Sequence, residues 1–260
     1  MKITREILDA VRSAGAIVRE NHGKLSTGQI ENKGTHDFVT EIDKKVERFL
    51  VNALGEILPG SGFLTEEKTA EQSRADYMWI IDPIDGTTNF IHGLYPVAVS
   101  VALQHKGKTV LGIVYEPGMD ELFYADETGA YLNGNSIRVS AEKKLDNALI
   151  ATGFPYKNYD KLEGYMQSFR YLMFHTAGIR RLGSAAADLV YVACGRMDGF
   201  YEYGLSPWDV AAGSFIVRQA GGKVTGFTEQ GDWLYGGEIL ATNGHIHKEF
   251  MDVLKQSIAS

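Results

Sequence analysis

One stretch limits the fold of this chain more tightly than any other. An apolar, β-branched and aromatic run, Tyr77-Met78-Trp79-Ile80-Ile81, breaks into Asp82-Pro83-Ile84-Asp85-Gly86-Thr87-Thr88. The run has the length and composition of an interior strand. Pro83 cannot donate to a ladder, so the strand is predicted to stop near Asp82. Two carboxylates at the end of a buried strand repel each other unless a cation lies between them. Gly86, Thr87 and Thr88 then offer N–H groups and hydroxyls to an anion. Oxygen ligands for a hard metal beside donors for a phosphate point to metal-supported phosphoryl chemistry. The bland alternative is that Asp82 and Asp85 form an Asx-turn pair.

The rest of the chain must supply a core for that strand. With 260 residues, 44% hydrophobic and 23% charged, it can do so as one large domain or two interleaved halves. Its longest apolar stretches are strand-sized, which argues against a membrane span. The N-terminus carries Lys2, Arg5, Glu6, Asp9 and Arg12 and lacks the apolar region of a signal peptide. A single cysteine, Cys194, excludes an intrachain disulfide, and the expected compartment is the cytoplasm. A net charge of −7 argues against broad nucleic-acid binding. Lys143-Lys144 and Arg180-Arg181 read as solvated faces. An acidic protein acting on an acidic substrate needs cations as intermediaries.

Ile7, Val11, Ala14 and Val18 recur at helical spacing, with Gly23 just past the end. A second helix has Val46, Phe49, Leu50, Ala53, Leu54 and Ile57 on one face and Lys44, Lys45, Glu47 and Arg48 largely opposite. Thr40 fits its N-cap, and Leu58-Pro59-Gly60 ends it. Strands are predicted at 77–81, 97–103, 109–115, 121–124 and 130–132, with Asn133-Gly134 as a hairpin turn. After a loose boundary near residue 145 the pattern alternates. Strands at 148–152, 179–182, 198–202, 223–225 and 238–241 interleave with helices at 159–174, 184–194, 207–220 and 247–257. The order predicts layered sheets and helices. The expected halves are residues 1–145, with most of the metal ligands, and 146–260, forming one catalytic unit.

Six acidic residues are candidates for chemistry: Asp82 with Asp85, Glu66 with Glu67, Asp209, and Asp43. Thr40 with Asp43 and Ser206 with Asp209 also match a capping-box variant, which explains both aspartates as well as catalysis does. Other signals carry less. The Asp82-to-Asp85 spacing is one residue too long for an Asp-x-Asp-x-Thr phosphatase. Arg196 follows Cys194 too closely for a cysteine phosphatase, and Cys194 reads as helix core. His245 and His247 read as exposed, and His92 receives no role. Gly221-Gly222 reads as a helix end, because no strand-GxGxxG-helix unit surrounds it.

Taken in order, Asp37-Phe38-Val39-Thr40 through Asp43, Glu66-Glu67, Asp82 through Thr88, Arg181-Leu182-Gly183-Ser184-Ala185-Ala186, Gly195 through Gly199, and Trp208-Asp209-Val210-Ala211-Ala212-Gly213 resemble the inositol monophosphatase family over nearly the whole chain. Gly153-Phe154-Pro155 resembles its bacterial branch. The resemblance implies a layered α-β-α-β-α sugar-phosphatase fold, α+β to α/β in class, with two sheets and the active site between the halves. It implies a lithium-sensitive enzyme with two or three Mg2+ per site, Mn2+ being an alternative. Glu66, Asp82 and the Ile84 carbonyl would hold the first ion, and Asp82, Asp85 and Asp209 the second. Glu66, Thr87 and Asp43 would serve catalysis, with Thr87, supported by Asp43, orienting the attacking water together with Glu66. Gly86 and Thr87 would hold the phosphate, beside Asp85 and Asp209. Gly183, Ser184, Ala185 and Glu202 would face the alcohol, and Lys33, next to Gly34, would be a mobile-loop lysine. The substrate class is a phosphate monoester, with inositol-1-phosphate foremost. Fructose-1,6-bisphosphatase, histidinol-phosphatase and dual-specificity activities are the alternatives. The resemblance also suggests a homodimer, and some bacterial relatives bind RNA polymerase as accessory factors.

Overall fold

A computed structural model of the chain describes residues 2–25, 30–34, 37–70, 75–155 and 158–258. Its first part comprises α1 (Arg5–Asn21), β1 (Ile30–Gly34), β2 (Asp37–Thr40), α2 (Glu41–Ile57), β3 (Gly62–Thr65), β4 (Tyr77–Asp85), α3 (Thr87–Ile91), β5 (Ala98–His105), β6 (Lys108–Glu116), β7 (Glu121–Asp126), β8 (Gly129–Leu132) and β9 (Asn135–Ser136). The second comprises β10 (Leu149–Thr152), α4 (Leu162–Phe174), β11 (Gly178–Arg180), α5 (Ala185–Ala193), β12 (Gly199–Tyr203), α6 (Pro207–Gln219), β13 (Lys223–Thr225), β14 (Glu238–Thr242) and α7 (His247–Ile258).

Strand periodicity assigns each side chain to a layer. In β4, Trp79 and Ile81 pack with α1 and α2, while Ile80 faces the other way. Val99, Val101 and Leu103 of β5 follow the first pair, and Ala98 and Ala102 follow the second. Alternation by two thus gives one sheet two apolar faces. The second sheet repeats the pattern: Phe200, Ile239 and Ala241 face α5 and α6, whereas Tyr201, Tyr203 and Leu240 pack with the residues of α4 and α7. The layers are therefore α1/α2, a seven-stranded sheet, α5/α6, a five-stranded sheet, and α4/α7, as the α-β-α-β-α expectation requires. Small residues let the central layer pack closely. A Cβ on Gly213 of α6 would lie 2.6 Å from Leu189 Cβ of α5, and one on Gly112 would lie 2.6 Å from the Ala212 carbonyl oxygen.

The large sheet runs β3-β4-β5-β6-β7-β8-β9, antiparallel except for β3 alongside β4. The small sheet runs β11-β10-β12-β14-β13, with β11, β10 and β12 parallel. Asn133 (φ 48°) and Gly134 (φ 88°) make the tight turn between β8 and β9. The hairpin β1–β2 and the parallel edge strand β3 had no counterpart in the sequence pattern.

β4 does not stop at Asp82; it runs through Pro83 to Asp85. Asp82 pairs with Ser100 and Asp85 with Ala98, so Pro83 and Ile84 together oppose Val99. Pro83 is tolerated because it sits in this bulge rather than in a regular ladder. Three residues apart on a regular strand, two side chains point to opposite faces. The extra residue restores a common side and sends both carboxylates toward the same cleft.

Candidate active site

The cleft opens where the ends of β4 and β12 meet the N-termini of α3, α5 and α6, with a cavity of about 600 Å³. Asp82 is 2% exposed, and its Oδ1 accepts from the Ile84 N–H at 3.0 Å. That contact is the Asx turn foreseen as the bland alternative. Asp85 Oδ2 accepts from Ser184 Oγ and the Ala186 N–H, both at 2.6 Å. Ser184 caps α5, so the start of that helix is bonded to a carboxylate of the opposite sheet. Asp209 Oδ2 accepts from the Ser206 N–H at 2.7 Å, the capping contact expected of it. Capping does not remove it from the cleft. One carboxylate oxygen from each of Asp82, Asp85 and Asp209 lies within 4.8 Å of the others.

Asp43 is fully buried at the start of α2. It accepts from the Thr40 N–H at 2.8 Å and from the Thr40 hydroxyl, completing the predicted capping box. Its Oδ1 also lies 3.4 Å from Thr87 Oγ1, which is 3.0 Å from the Ile84 carbonyl oxygen. Glu66 follows β3, its N–H reaching the Ile81 carbonyl at 3.3 Å, and with Glu67 it lines the cleft. Gly86 is left-handed (φ 95°), and a Cβ there would lie 3.0 Å from the Gly183 carbonyl oxygen. Gly183, Ser184, Ala185 and Glu202 form the far wall. Lys33, expected on a mobile loop, sits on β1, where the register shifts between Asn32 and Gly34; its side chain lies outside the described residues.

The electrostatics follow from burial. Asp82 is pushed well above the usual carboxylate range by desolvation, then by the negative charges of Glu66, Asp85 and Asp209. Burial lifts Asp85 to about 6 against the opposing bonds from Ser184 and Ala186. It lifts Asp43 to about 6 against those from Thr40. Carboxylate oxygens crowded this closely, with no histidine or thiol among them, suit hard divalent cations.

The five layers with an acidic cleft at their seam place the chain among proteins of the inositol monophosphatase fold. Within it, the chain belongs to the inositol monophosphatase family, whose model matches residues 2–259. The relatives carry two kinds of name. The "Nus factor SuhB" of Pseudomonas aeruginosa is 42% identical over 254 residues, covering 95% of this chain and 94% of that protein. The "Inositol-1-monophosphatase" of Rhizobium meliloti is 41% identical over 256 residues, covering 98% and 96%. Among solved structures, the suhB protein of Bartonella henselae superposes with a TM-score of 0.92 at 40% identity, covering 97% of this chain and 98% of that one. The inositol monophosphatase of Anabaena superposes at 0.84 with 36% identity, covering 97% and 94%. Family membership makes the chain a phosphatase.

Three residues in or behind the cleft escaped the sequence pattern. Arg181, half of a pair read as a solvated face, lines the cavity and opposes the negative charge around Glu202. Asp188 is 1% exposed inside α5, and its Oδ1 has no hydrogen-bond partner among the described residues. Burial, then Glu202 and Asp85, push its carboxyl well above the usual range, against a downward pull from Arg181. Glu47, read as part of the polar face of α2, is fully buried. Its signal was visible: positions 43, 47, 50 and 54 form one helical stripe. Outside the cleft, His247 is 1% exposed rather than exposed as expected, because Thr225 and Thr242 hydroxyls meet its two ring nitrogens at 3.1 and 2.9 Å. Cys194 is half-buried at the C-cap of α5, where it packs against the core that the helix helps to form. No helix among the described residues is long and apolar enough to cross a membrane.

Proposed function

We propose that the chain hydrolyses phosphate monoesters with magnesium as cofactor, and that myo-inositol-1-phosphate is its substrate. One observation carries the reading: carboxylate oxygens from β4 and α6 converge within 4.8 Å beside the turn that holds Thr87. Glu66, Asp82 and the Ile84 carbonyl would hold one ion, and Asp82, Asp85 and Asp209 another. Two or three magnesium ions, with manganese as a substitute, would neutralise the ester and make water nucleophilic at neutral pH. The chain's own groups do the rest. Gly86 and Thr87, at the start of α3, bind the phosphate. Asp43 orients the Thr87 hydroxyl, which with Glu66 aligns the attacking water. Glu202 accepts hydrogen bonds from the substrate's hydroxyls, Arg181 offsets its charge, and Gly183, Ser184 and Ala185 shape that wall.

The two parts of the chain, 1–145 and 146–260, work as one catalytic unit in this reading, within a cytoplasmic homodimer. Phosphate release from a panel of inositol, fructose, histidinol and glycerol phosphates, with and without magnesium and lithium, tests it. The inositol ester should lead, only with magnesium, and lithium should inhibit. No release from any ester would refute the reading. The relatives named Nus factor SuhB support a second role, as an accessory factor that binds RNA polymerase. Co-purification with RNA polymerase tests that role independently of catalysis.

A further inference from the structure

Glu47 is a buried carboxylate that no catalytic role absorbs. It lies one helical turn after Asp43 on the same face of α2. Its Oε2 accepts from the Glu67 N–H at 2.7 Å, and its Oε1 accepts from the Thr69 N–H at 2.7 Å and the Thr69 hydroxyl at 2.8 Å. Between those two amides Lys68 is left-handed, with φ of 54°, a conformation that side chains other than glycine adopt at a cost. Successive N–H groups turned inward around such a residue form a concave anion seat. Here the seat is filled from within, by the chain's own carboxylate. On the other side, the Glu66 N–H is bonded to the Ile81 carbonyl of β4. Glu66 is thus fixed between the sheet and a loop wound around Glu47.

We propose that Glu47 is a positioning residue. It holds the turn carrying Glu66 and Glu67 against the cleft, so cation affinity depends on a side chain that touches neither cation nor substrate. α2 then sets two parts of the site at once: Asp43 places Thr87, and Glu47, four residues on, places the Glu66 turn. The inference rests on the reading of Glu66 as a cation ligand, and the experiment separates the two.

Magnesium binding is measured by calorimetry, with amide hydrogen exchange of residues 66–69, on wild type, Glu47→Gln, Thr69→Val, Glu66→Gln and Leu54→Ala. Leu54 is buried on α2 and serves as a control for destabilisation alone. Glu47→Gln presents an NH2 group where an N–H donor needs an acceptor. It should weaken magnesium roughly 10–100-fold, the range for groups that orient ligands. It should also speed exchange at Glu67 and Thr69. Thr69→Val removes one of three bonds and should weaken binding several-fold, while Leu54→Ala should lower the melting temperature with little change in Kd. If Glu66→Gln leaves magnesium binding unchanged, the ligand reading fails. If Glu66→Gln weakens binding while Glu47→Gln and Thr69→Val match wild type, or Leu54→Ala weakens it as much as they do, the positioning role is overturned. Should Glu47→Gln not fold, Thr69→Val compared with Leu54→Ala decides alone.

Discussion

Gly153→Ala tests the proposed substrate wall through a single methyl group. Gly153 follows β10 directly, and an ideal Cβ there would lie 2.1 Å from Glu202 Oε1 and 2.2 Å from its Cδ and Oε2. Carbon contacts settle near about 3.5 Å, so the carboxylate must retreat by roughly 1.3 Å. Glu202 is only 8% exposed, which denies it an easy swing into solvent. The Gly153 backbone is not left-handed, so alanine itself is tolerated and the fold should persist. Losing a hydrogen bond at a buried acceptor costs about 1–3 kcal/mol, which corresponds to roughly 5–150-fold in kcat/KM. The loss should fall on inositol-1-phosphate and largely spare glycerol-2-phosphate. Kinetics with both esters, for wild type, Gly153→Ala, Glu202→Gln and the double variant, check this. The two changes act on one acceptor, so the double variant should be no worse than the poorer single one. Equal losses on both esters, or additive losses on the inositol ester, would refute a substrate-facing Glu202.

Asp82→Asn should abolish turnover while the fold survives, since the Asn side-chain oxygen can still accept from the Ile84 N–H. Without magnesium its melting temperature should equal or exceed wild type, because one of several repelling charges is gone; near wild-type turnover at saturating magnesium would remove Asp82 from the site. Thr87→Ala should lower kcat much more than it raises KM, as expected for a hydroxyl that aligns the attacking water. If only KM changes, Thr87 binds phosphate and no more. His247 gives a pH dependence of defined sign. Burial, then Lys223, holds its folded pKa at about 4, below the unfolded 6.5, against a smaller upward pull from Glu229. Its contribution to stability is whole above pH 6.5 and declines as pH falls toward 4, by about 1.4 kcal/mol per unit and roughly 3 kcal/mol in all. Denaturant unfolding of wild type and His247→Gln across that range should converge at low pH by this amount. Parallel curves would contradict a neutral, buried His247.

Much of this architecture was legible because periodicity is local. The stripe Ile7, Val11, Ala14, Val18 and the strand at 97–103 each needed only a dozen residues of sequence, and the structure forms both, as α1 and β5. The carboxylates could be named as candidates on the same basis. Their convergence could not, since Asp209 reaches Asp85 only after two sheets and a helical layer have assembled. The misreadings share one cause. Glu47 and His247 were assigned to the surface by polarity, yet both are buried by partners far along the chain: Thr69 for one, Thr225 for the other. β3 was missed because its parallel pairing with β4 is not a local property. The extension of β4 through Pro83 depended on a bulge visible only from β5.

The bonds from Ser184 and Ala186 to Asp85 carry a consequence for how activity appears and disappears. A nascent chain in which only the first sheet has formed displays Asp82 and Asp85 without Asp209, and its Asp85 lacks the two donors that fix it. Such a chain has no complete set of groups with which to attack the phosphate esters around it. If the proposed site is right, hydrolytic competence arrives only when α5 and α6 have docked, and it is the first property forfeited if that seam loosens before the sheets themselves unravel. On that reading the acidic cleft is completed by the docking of the two sheets and not by either sheet alone.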